Sequence, residues 1–137
     1  EPLGYEAPIH VSWAMLNRSD LIRVPSYKTG REQSRRIEYR APDPACNPYL
    51  AFSVMLAAGL EGIDKRYKLP ASADSGFTGN QSRGERFGPV ETLPTSLSEA
   101  LQITEHSKMV ESALGEPVFR SFIQNKKIEW ERYDITI

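Results

Sequence analysis

The sequence has one cysteine, Cys46, among its 137 residues. A single thiol cannot form an internal disulfide, so packing and hydrogen bonds have to hold the fold, and the composition suits a reducing compartment such as the cytoplasm. Pro44 and Pro48 lie two residues to either side of Cys46, close to an apolar run. Because nothing nearby would activate the thiol, we expect a buried small side chain rather than a nucleophile.

Histidines and long hydrophobic runs are also scarce. His10 and His106 have no second ligand at a spacing that is diagnostic of a metal site. The longest apolar stretch, residues 49–60, is too short to cross a bilayer. The sequence therefore predicts neither a histidine-based metal motif nor a membrane-spanning segment.

The chain lacks an excess of charge of either sign. Its 17 basic and 18 acidic residues give a formal net charge of -1, which argues against a dedicated binder of nucleic acid or of anionic membranes. The balance is uneven between residues 18 and 40, where seven basic residues accompany three acidic ones. Six of the seven are arginines, which suit planar oxyanions better than lysine does: Arg18, Arg23, Arg31, Arg35, Arg36 and Arg40.

The most informative segment is residues 36–40, Arg-Ile-Glu-Tyr-Arg. In a strand, alternate side chains share a face, so Arg36, Glu38 and Arg40 would point the same way. One carboxylate between two guanidinium groups suits a metal-bound phosphate. The alternative is a solvated strand whose opposite charges neutralise each other, and because charged strand faces are common, the alternation alone favours that alternative.

Local patterns predict an α+β fold. Residues 9–14, 21–24 and 36–40 resemble short strands, and their close spacing favours antiparallel pairing because parallel pairing needs a longer crossover. Asn47 and Pro48 are suited to the start of a helix. The run that follows, residues 49–58, is apolar nearly all round, so we expect a buried central helix.

The second half of the chain is predicted to contain a long loop and three helices. Residues 65–94 are rich in Gly, Ser and Pro and indicate a surface loop. A capping box, Ser96-Leu97-Ser98-Glu99, opens the first helix. The second spans residues 107–114 and stops at Gly115. The third begins at Pro117 and carries an apolar stripe towards Tyr133.

The arginines could converge on the predicted strands. If Arg18, Arg23, Arg36 and Arg40 met at one pocket, their mutual repulsion would be destabilising. A polyanionic ligand with a divalent metal would relieve it, which is the usual arrangement at phosphoryl-transfer sites.

Seven short blocks in fixed order make the chain recognisable, with two further matches downstream at residues 93–101 and 113–115. The seven are Gly-Tyr-Glu-Ala-Pro (4–8), Asn-Arg-Ser (17–19), Ile-Arg-Val-Pro (22–25), Arg-Ile-Glu-Tyr-Arg (36–40), Asp-Pro (43–44), Asn-Pro-Tyr-Leu-Ala (47–51) and Ala-Ala-Gly-Leu-Glu-Gly-Ile (57–63). Together they resemble the C-terminal catalytic region of type I (bacterial and archaeal) glutamine synthetase, over essentially the whole chain.

The resemblance implies an ATP-dependent glutamate–ammonia ligase of the cytoplasm. Members of that family phosphorylate the γ-carboxylate of glutamate, and ammonia then attacks the γ-glutamyl phosphate to give glutamine. The resemblance implies Mg²⁺ or Mn²⁺ as cofactor and ATP, glutamate and ammonia as partners. It also implies that full-length chains assemble into a dodecamer, and it gives no role to nucleic acid or membranes.

Three residues are implied to act on glutamate and on the transferred phosphate. Glu6 resembles the glutamate of a flap that closes over bound glutamate and helps to take a proton from ammonium, as a carboxylate can once water is excluded. Arg18 matches the arginine that stabilises the phosphoryl group in transfer. Arg40 matches the arginine that pairs with substrate glutamate.

Four further residues are implied to hold the nucleotide and its metal. Arg23 and Arg36 resemble contacts to the nucleotide phosphates. Glu38 matches a carboxylate ligand of the metal that bridges those phosphates. Tyr5 is a weaker candidate for a contact near the nucleotide.

The resemblance also implies that residues 1–137 are one part of a catalytic domain. The other metal ligands, the glycine-rich glutamate-binding segment and the N-terminal domain of the family would precede residue 1. A hard cation prefers about six oxygen ligands, so we expect this polypeptide alone to be inactive. Two alternatives stay open: a γ-glutamyl-amine or polyamine ligase of the same superfamily, and a non-catalytic phosphate-binding module.

Overall fold

A computed structural model describes residues 7–17, 20–76 and 91–134. The chain divides into two compact units. The sheet unit comprises residues 1–43 and 69–93, and the helical unit comprises residues 44–68 and 94–137. The strands and the α-helices thus fall in separate units, and the predicted α+β class is confirmed.

Three very short strands form the sheet: β1 (Trp13–Ala14), β2 (Ile22–Arg23) and β3 (Glu38–Tyr39), in the order β1-β2-β3. β2 and β3 are antiparallel, as predicted. β1 and β2 are parallel, so the prediction of antiparallel pairing throughout is wrong for this pair. The usual length requirement on a crossover does not apply, because a two-residue strand advances the chain by only about 7 Å and the seven residues between Ala14 and Ile22 can return over that distance.

Pairing extends beyond the sheet into the predicted loop. Thr92 forms an isolated antiparallel bridge with His10. The N–H of Val11 donates to the carbonyl of Glu91 at 2.9 Å, and the N–H of Leu93 donates to that of Ile9 at 2.8 Å. Elsewhere in the described part of residues 65–94 the chain makes one short 3₁₀ turn, Ala73–Gly76. The N-terminal part of the first predicted strand therefore finds its partner far along the chain.

The helical unit contains four α-helices within the described residues: α1 (Pro48–Asp64), α2 (Leu97–Glu105), α3 (Lys108–Leu114) and α4 (Glu116–Asp134). The predicted caps at Asn47 and Ser96 are present, and Ser107, predicted only as the first residue of its helix, provides a third. Side-chain oxygens of Asn47, Ser96 and Ser107 accept hydrogen bonds from first-turn N–H groups, which satisfies donors that have no partner inside the helix. Gly115 ends α3 at a φ of 75°.

A small hydrophobic core joins α2 to α4. Leu101 of α2 and Phe119 and Ile123 of α4 are buried together. Partly buried residues surround this core, namely Leu97, Val110, Leu114, Phe122 and Trp130. A salt bridge of 2.6 Å between Lys127 and Glu105 links the same two helices at the surface.

The expectation that the helix after Pro48 is buried is wrong. None of the α1 residues is buried, although α1 packs against α3. Five of its large apolar residues are more than half exposed: Tyr49, Phe52, Leu56, Leu60 and Ile63. The expectation of a buried Cys46 also fails, because this residue is free and exposed in the turn before α1. None of the helices in the described ranges combines the length and apolarity that a membrane span requires.

Candidate functional site

An arginine and a glutamate face each other across neighbouring strands of the sheet unit. Arg23 on β2 is the direct partner of Glu38 on β3. Nη1 of Arg23 lies 3.1 Å from each carboxylate oxygen of Glu38. The side chains are 23% and 39% exposed, respectively, so the pair lies at the surface and solvent reaches both groups.

The Arg23 guanidinium is only partly used by this pair. Both of its hydrogen bonds to Glu38 run through Nη1, and the buried Nε–H has no hydrogen-bond partner among the residues that the structure describes. A buried donor left unpaired costs about 1–3 kcal/mol. The arrangement therefore favours an additional acceptor, such as an oxyanion.

The two arginines that flank Glu38 in sequence lie in different settings. Arg36 precedes β3, is exposed, and donates from Nη1 to the carbonyl of Ser34 at 3.4 Å. Arg40 follows β3 and is half-buried, and its backbone N–H donates to the carbonyl of Leu21 at 2.9 Å. Pairing with β2 thus continues past β3 on the Arg40 side of Glu38.

Three of the predicted site residues, Tyr5, Glu6 and Arg18, lie outside the described residues. Among the described candidates, the structure brings Arg23 into direct contact with Glu38. The alternation of residues 36–40 did not indicate that contact, because it depends on the register between two strands.

Among the described site residues, Glu38 could provide one oxygen ligand to a divalent cation. Within the described ranges no three His, Cys, Asp or Glu side chains cluster closely enough to hold a metal ion. Glu38 nevertheless offers a partly exposed carboxylate with about four lone-pair positions, of which the single Nη1 of Arg23 cannot occupy all. A hard cation bound here would need its remaining oxygen ligands from other residues, water or phosphate.

Two aspartates hold the connection between β1 and β2, and sequence patterns indicate neither of them. We call Asp20 the anchor and Asp74 the clamp. Asp20 is fully buried, and one of its carboxylate oxygens accepts a hydrogen bond from the Ser12 hydroxyl. Asp74, from the 3₁₀ turn, accepts hydrogen bonds from the backbone N–H groups of Met15, Leu16 and Asn17. No local pattern indicates the Asp74 contacts, since they join residues almost sixty positions apart.

The sequence matches the profile of the family described as the catalytic domain of glutamine synthetase over residues 3–137. The chain belongs to the glutamine synthetase family. It is 50% identical over 131 residues to a glutamine synthetase of Mycolicibacterium smegmatis, a match covering 95% of this chain and 29% of that protein. A glutamine synthetase of Methanococcus maripaludis is 41% identical over 130 residues, covering 95% of this chain and 28% of that protein.

Solved structures share the fold of this chain. A cryo-EM structure of Plasmodium falciparum glutamine synthetase superposes with a TM-score of 0.77, over 98% of this chain and 34% of that chain, at 17% identity. The ligand-free structure of a protein named GmaS gives a TM-score of 0.71, over 97% of this chain and 29% of that chain, at 27% identity. The chain thus spans less than a third of the length of the curated relatives described here.

Proposed function

We propose that the natural polypeptide that carries residues 1–137 is an ATP-dependent glutamate–ammonia ligase. It would make glutamine through a γ-glutamyl phosphate intermediate. Membership of the glutamine synthetase family supports this reaction class. The observation that carries the proposal is the contact of Arg23 with Glu38, which joins a phosphate-seeking group to a cation-seeking group at one point of the sheet.

Glu38 and Arg23 would share the nucleotide phosphates. Glu38 would be one ligand of Mg²⁺ or Mn²⁺, and the bound metal would neutralise charge on the phosphate oxygens. Arg23 could donate from the guanidinium nitrogens that Glu38 does not occupy. Because its side chain is already held by Glu38, less rotamer freedom would be lost when phosphate binds.

The other candidate residues complete the proposed site. Arg36, exposed beside the strand, would contact nucleotide phosphate, and Arg40 would pair with the carboxylate of glutamate. Arg18 would stabilise the phosphoryl group in transfer. Glu6 would accept a proton from ammonium, with Tyr5 near the nucleotide. For all five the support is the match of their sequence blocks to the family.

Residues 1–137 by themselves would not catalyse the reaction. Glu38 is the one proposed metal ligand among them, while a hard cation takes about six oxygens. Without a fixed cation, the charge that develops on the phosphates would be compensated by arginines alone. The natural polypeptide would therefore need further ligands, as the greater length of the relatives allows.

The proposal is tested by incubating the natural polypeptide with glutamate, ammonium, ATP and Mg²⁺ or Mn²⁺. We expect glutamine and phosphate to form in equal amounts, and hydroxylamine to trap the acyl phosphate as a hydroxamate. Phosphate release that does not depend on glutamate would contradict the proposal. Faster turnover with a primary amine or a polyamine than with ammonium would assign the alternative acceptor. Measurable glutamine formation by residues 1–137 alone would refute the requirement for further ligands.

A further inference from the structure

We infer that Asp74 is a positioning residue for phosphoryl transfer, because its carboxylate clamps residues 15–17 and so sets where the Asn-Arg-Ser block at 17–19 begins. The functional half of this inference rests on the proposed ligase activity. Asp74 itself need not touch substrate. Its effect would pass through the backbone to Arg18, the residue proposed to stabilise the transferred phosphoryl group.

Three consecutive backbone N–H groups converge on the Asp74 carboxylate. Oδ2 accepts from Met15 and, at 3.1 Å, from Leu16, while Oδ1 accepts from Asn17 at 3.3 Å. The Ser72 hydroxyl lies 3.4 Å from Oδ2 and also accepts from the N–H of Asp74. Successive N–H groups around one anion form a concave nest, and these hydrogen bonds are strengthened by the charge of the carboxylate. As a result, the backbone conformation of residues 15–17 is constrained.

Apolar packing cannot replace this clamp. The side chains of Met15 and Leu16 are 46% and 76% exposed, so they bury little surface that could fix the segment. The turn that carries Asp74 is itself tied to β1, since the Trp13 indole N–H donates to the carbonyl of Pro70 at 2.8 Å. Hydrogen bonds to a distant turn thus restrain the backbone of residues 15–17.

The far end of the same connection is also anchored. Asp20 is fully buried and accepts a hydrogen bond from Ser12, just before β1. β2 then begins at Ile22 and carries Arg23 against Glu38. The backbone is therefore held at residues 15–17 by the clamp and at residue 20 by the anchor, on either side of positions 18 and 19.

The charge state of Asp74 agrees with a clamp. Burial raises the pKa of this carboxyl, but hydrogen bonds from Met15, Leu16, Asn17 and Ser72 outweigh burial and leave the pKa below its ordinary value of 3.8. The carboxylate is therefore ionised at neutral pH, the state in which it accepts hydrogen bonds at both oxygens.

The clamp is tested by hydrogen exchange of the natural polypeptide, followed by mass spectrometry. We expect Asp74→Asn to accelerate exchange at least tenfold in peptides covering residues 15–17, with unchanged exchange at Ile22, whose N–H donates to the carbonyl of Ser12. Asp64→Asn, at the exposed end of α1, is the matched control. If Asp74→Asn unfolds the protein, Ser72→Ala gives the milder test, with a selective acceleration of about threefold. Unchanged exchange at residues 15–17 would overturn the clamp.

The positioning role is tested by kinetics of the same variants. A displacement of about 1 Å in a positioned group can cost about 100-fold in rate. We therefore expect Asp74→Asn to lower kcat by 10- to 100-fold, with KM for glutamate within about twofold of wild type and with Asp64→Asn unchanged. Wild-type kcat in Asp74→Asn would overturn the positioning role. A wild type without ligase activity would instead refute the proposed function, and the exchange result would still decide whether Asp74 holds the segment.

Discussion

Replacing Glu38 by glutamine should separate stability from activity. The substitution keeps the size of the side chain and one oxygen that can accept from Arg23, but it removes the negative charge. Among the described residues that charge has one partner, Nη1 of Arg23 at 3.1 Å. If the pair were merely structural, as a solvated strand face would be, Glu38→Gln would affect stability and little else.

The stability effect follows from the exposure of the pair. With side chains 23% and 39% exposed, Arg23 and Glu38 interact through a medium that solvent screens strongly. Pairs of this kind are worth about 0.2–1 kcal/mol, so we expect Glu38→Gln to lower the free energy of unfolding by no more than about 1 kcal/mol. The same residue as a metal ligand would matter far more, because losing one preorganised charge contact in a transition state costs about 100- to 1,000-fold in kcat.

The comparison needs a matched control, and Glu61 supplies one. Its carboxylate accepts from Lys65 at 2.7 Å and from the Tyr67 hydroxyl at 3.0 Å, with a side chain 32% exposed. Glu61→Gln makes the same chemical change in a helical ion pair that has no proposed catalytic role. Urea unfolding and the ligase assay are run on both variants and on wild type.

The expected result is that both variants unfold near the wild-type midpoint while Glu38→Gln alone loses ligase activity by at least about 100-fold. Wild-type kcat in Glu38→Gln would refute the proposed metal contact. An equal loss of activity in both variants would show that charge removal as such, rather than the position of Glu38, is responsible.

Three further predictions concern packing, backbone conformation and pH. Phe119→Ala should lower the free energy of unfolding by about 3–5 kcal/mol because Phe119 is buried in the α2–α4 core, whereas Phe52→Ala, at a site 66% exposed, should change it by less than about 0.5 kcal/mol; denaturant titration measures both. Gly115→Ala should destabilise by about 1–3 kcal/mol, since φ is 75° and ψ 148° there, while Gly59→Ala inside α1, where an added Cβ meets nothing within 4 Å, should stabilise by about 0.5–1 kcal/mol. The depressed pKa of Asp74 contributes stability at pH values above its ordinary value of 3.8, and that contribution is lost as pH falls through the folded-state pKa; the protection of residues 15–17 from exchange, measured relative to the intrinsic rate at each pH, should therefore fall on acidification in wild type but not in Asp74→Asn.

Helix boundaries could be predicted because their determinants are local. The caps at Asn47, Ser96 and Ser107 accept hydrogen bonds from N–H groups two or three residues away. Gly115 adopts the positive φ at which α3 ends without steric cost, because it has no Cβ. Glu99 departs slightly from the capping-box pattern, since its carboxylate accepts from the N–H of Thr95 at 2.8 Å. Such contacts are visible in a short window of sequence.

The sheet could be predicted only in part because its partners are distant. The positions of β2 and β3 agree with the predicted segments, but the parallel register of β1 with β2 depends on how residues 15–21 are held. Its first three residues, 15–17, donate hydrogen bonds to Asp74, almost sixty positions further along the chain. The bridge of Thr92 to His10 likewise joins residues that are far apart in the sequence. Neither contact leaves a periodic pattern in sequence.

The candidate site, too, combines features that local sequence predicts with a contact that it does not. The alternation of residues 36–40 predicts that Arg36, Glu38 and Arg40 share one face, and both the clustering of arginines and the family resemblance add Arg23. The direct contact of Arg23 with Glu38 follows from neither observation, because it requires the antiparallel register of β2 on β3. Charge alternation indicates which groups a strand can present, whereas the register determines which of them meet.

Helix α1 shows that an apolar composition does not by itself determine whether a helix is buried. Its positions between the large apolar residues are filled mainly by Ala, Ser and Gly, so the helix has no charged face before Glu61. Burial of such a helix requires cover on both sides, and within the described residues α3 packs against one. The exposed residues from Tyr49 to Ile63 recur every three or four positions, the spacing of a face that can pack. Composition therefore reports how much surface a helix is able to bury, but which element buries it is a property of the tertiary fold.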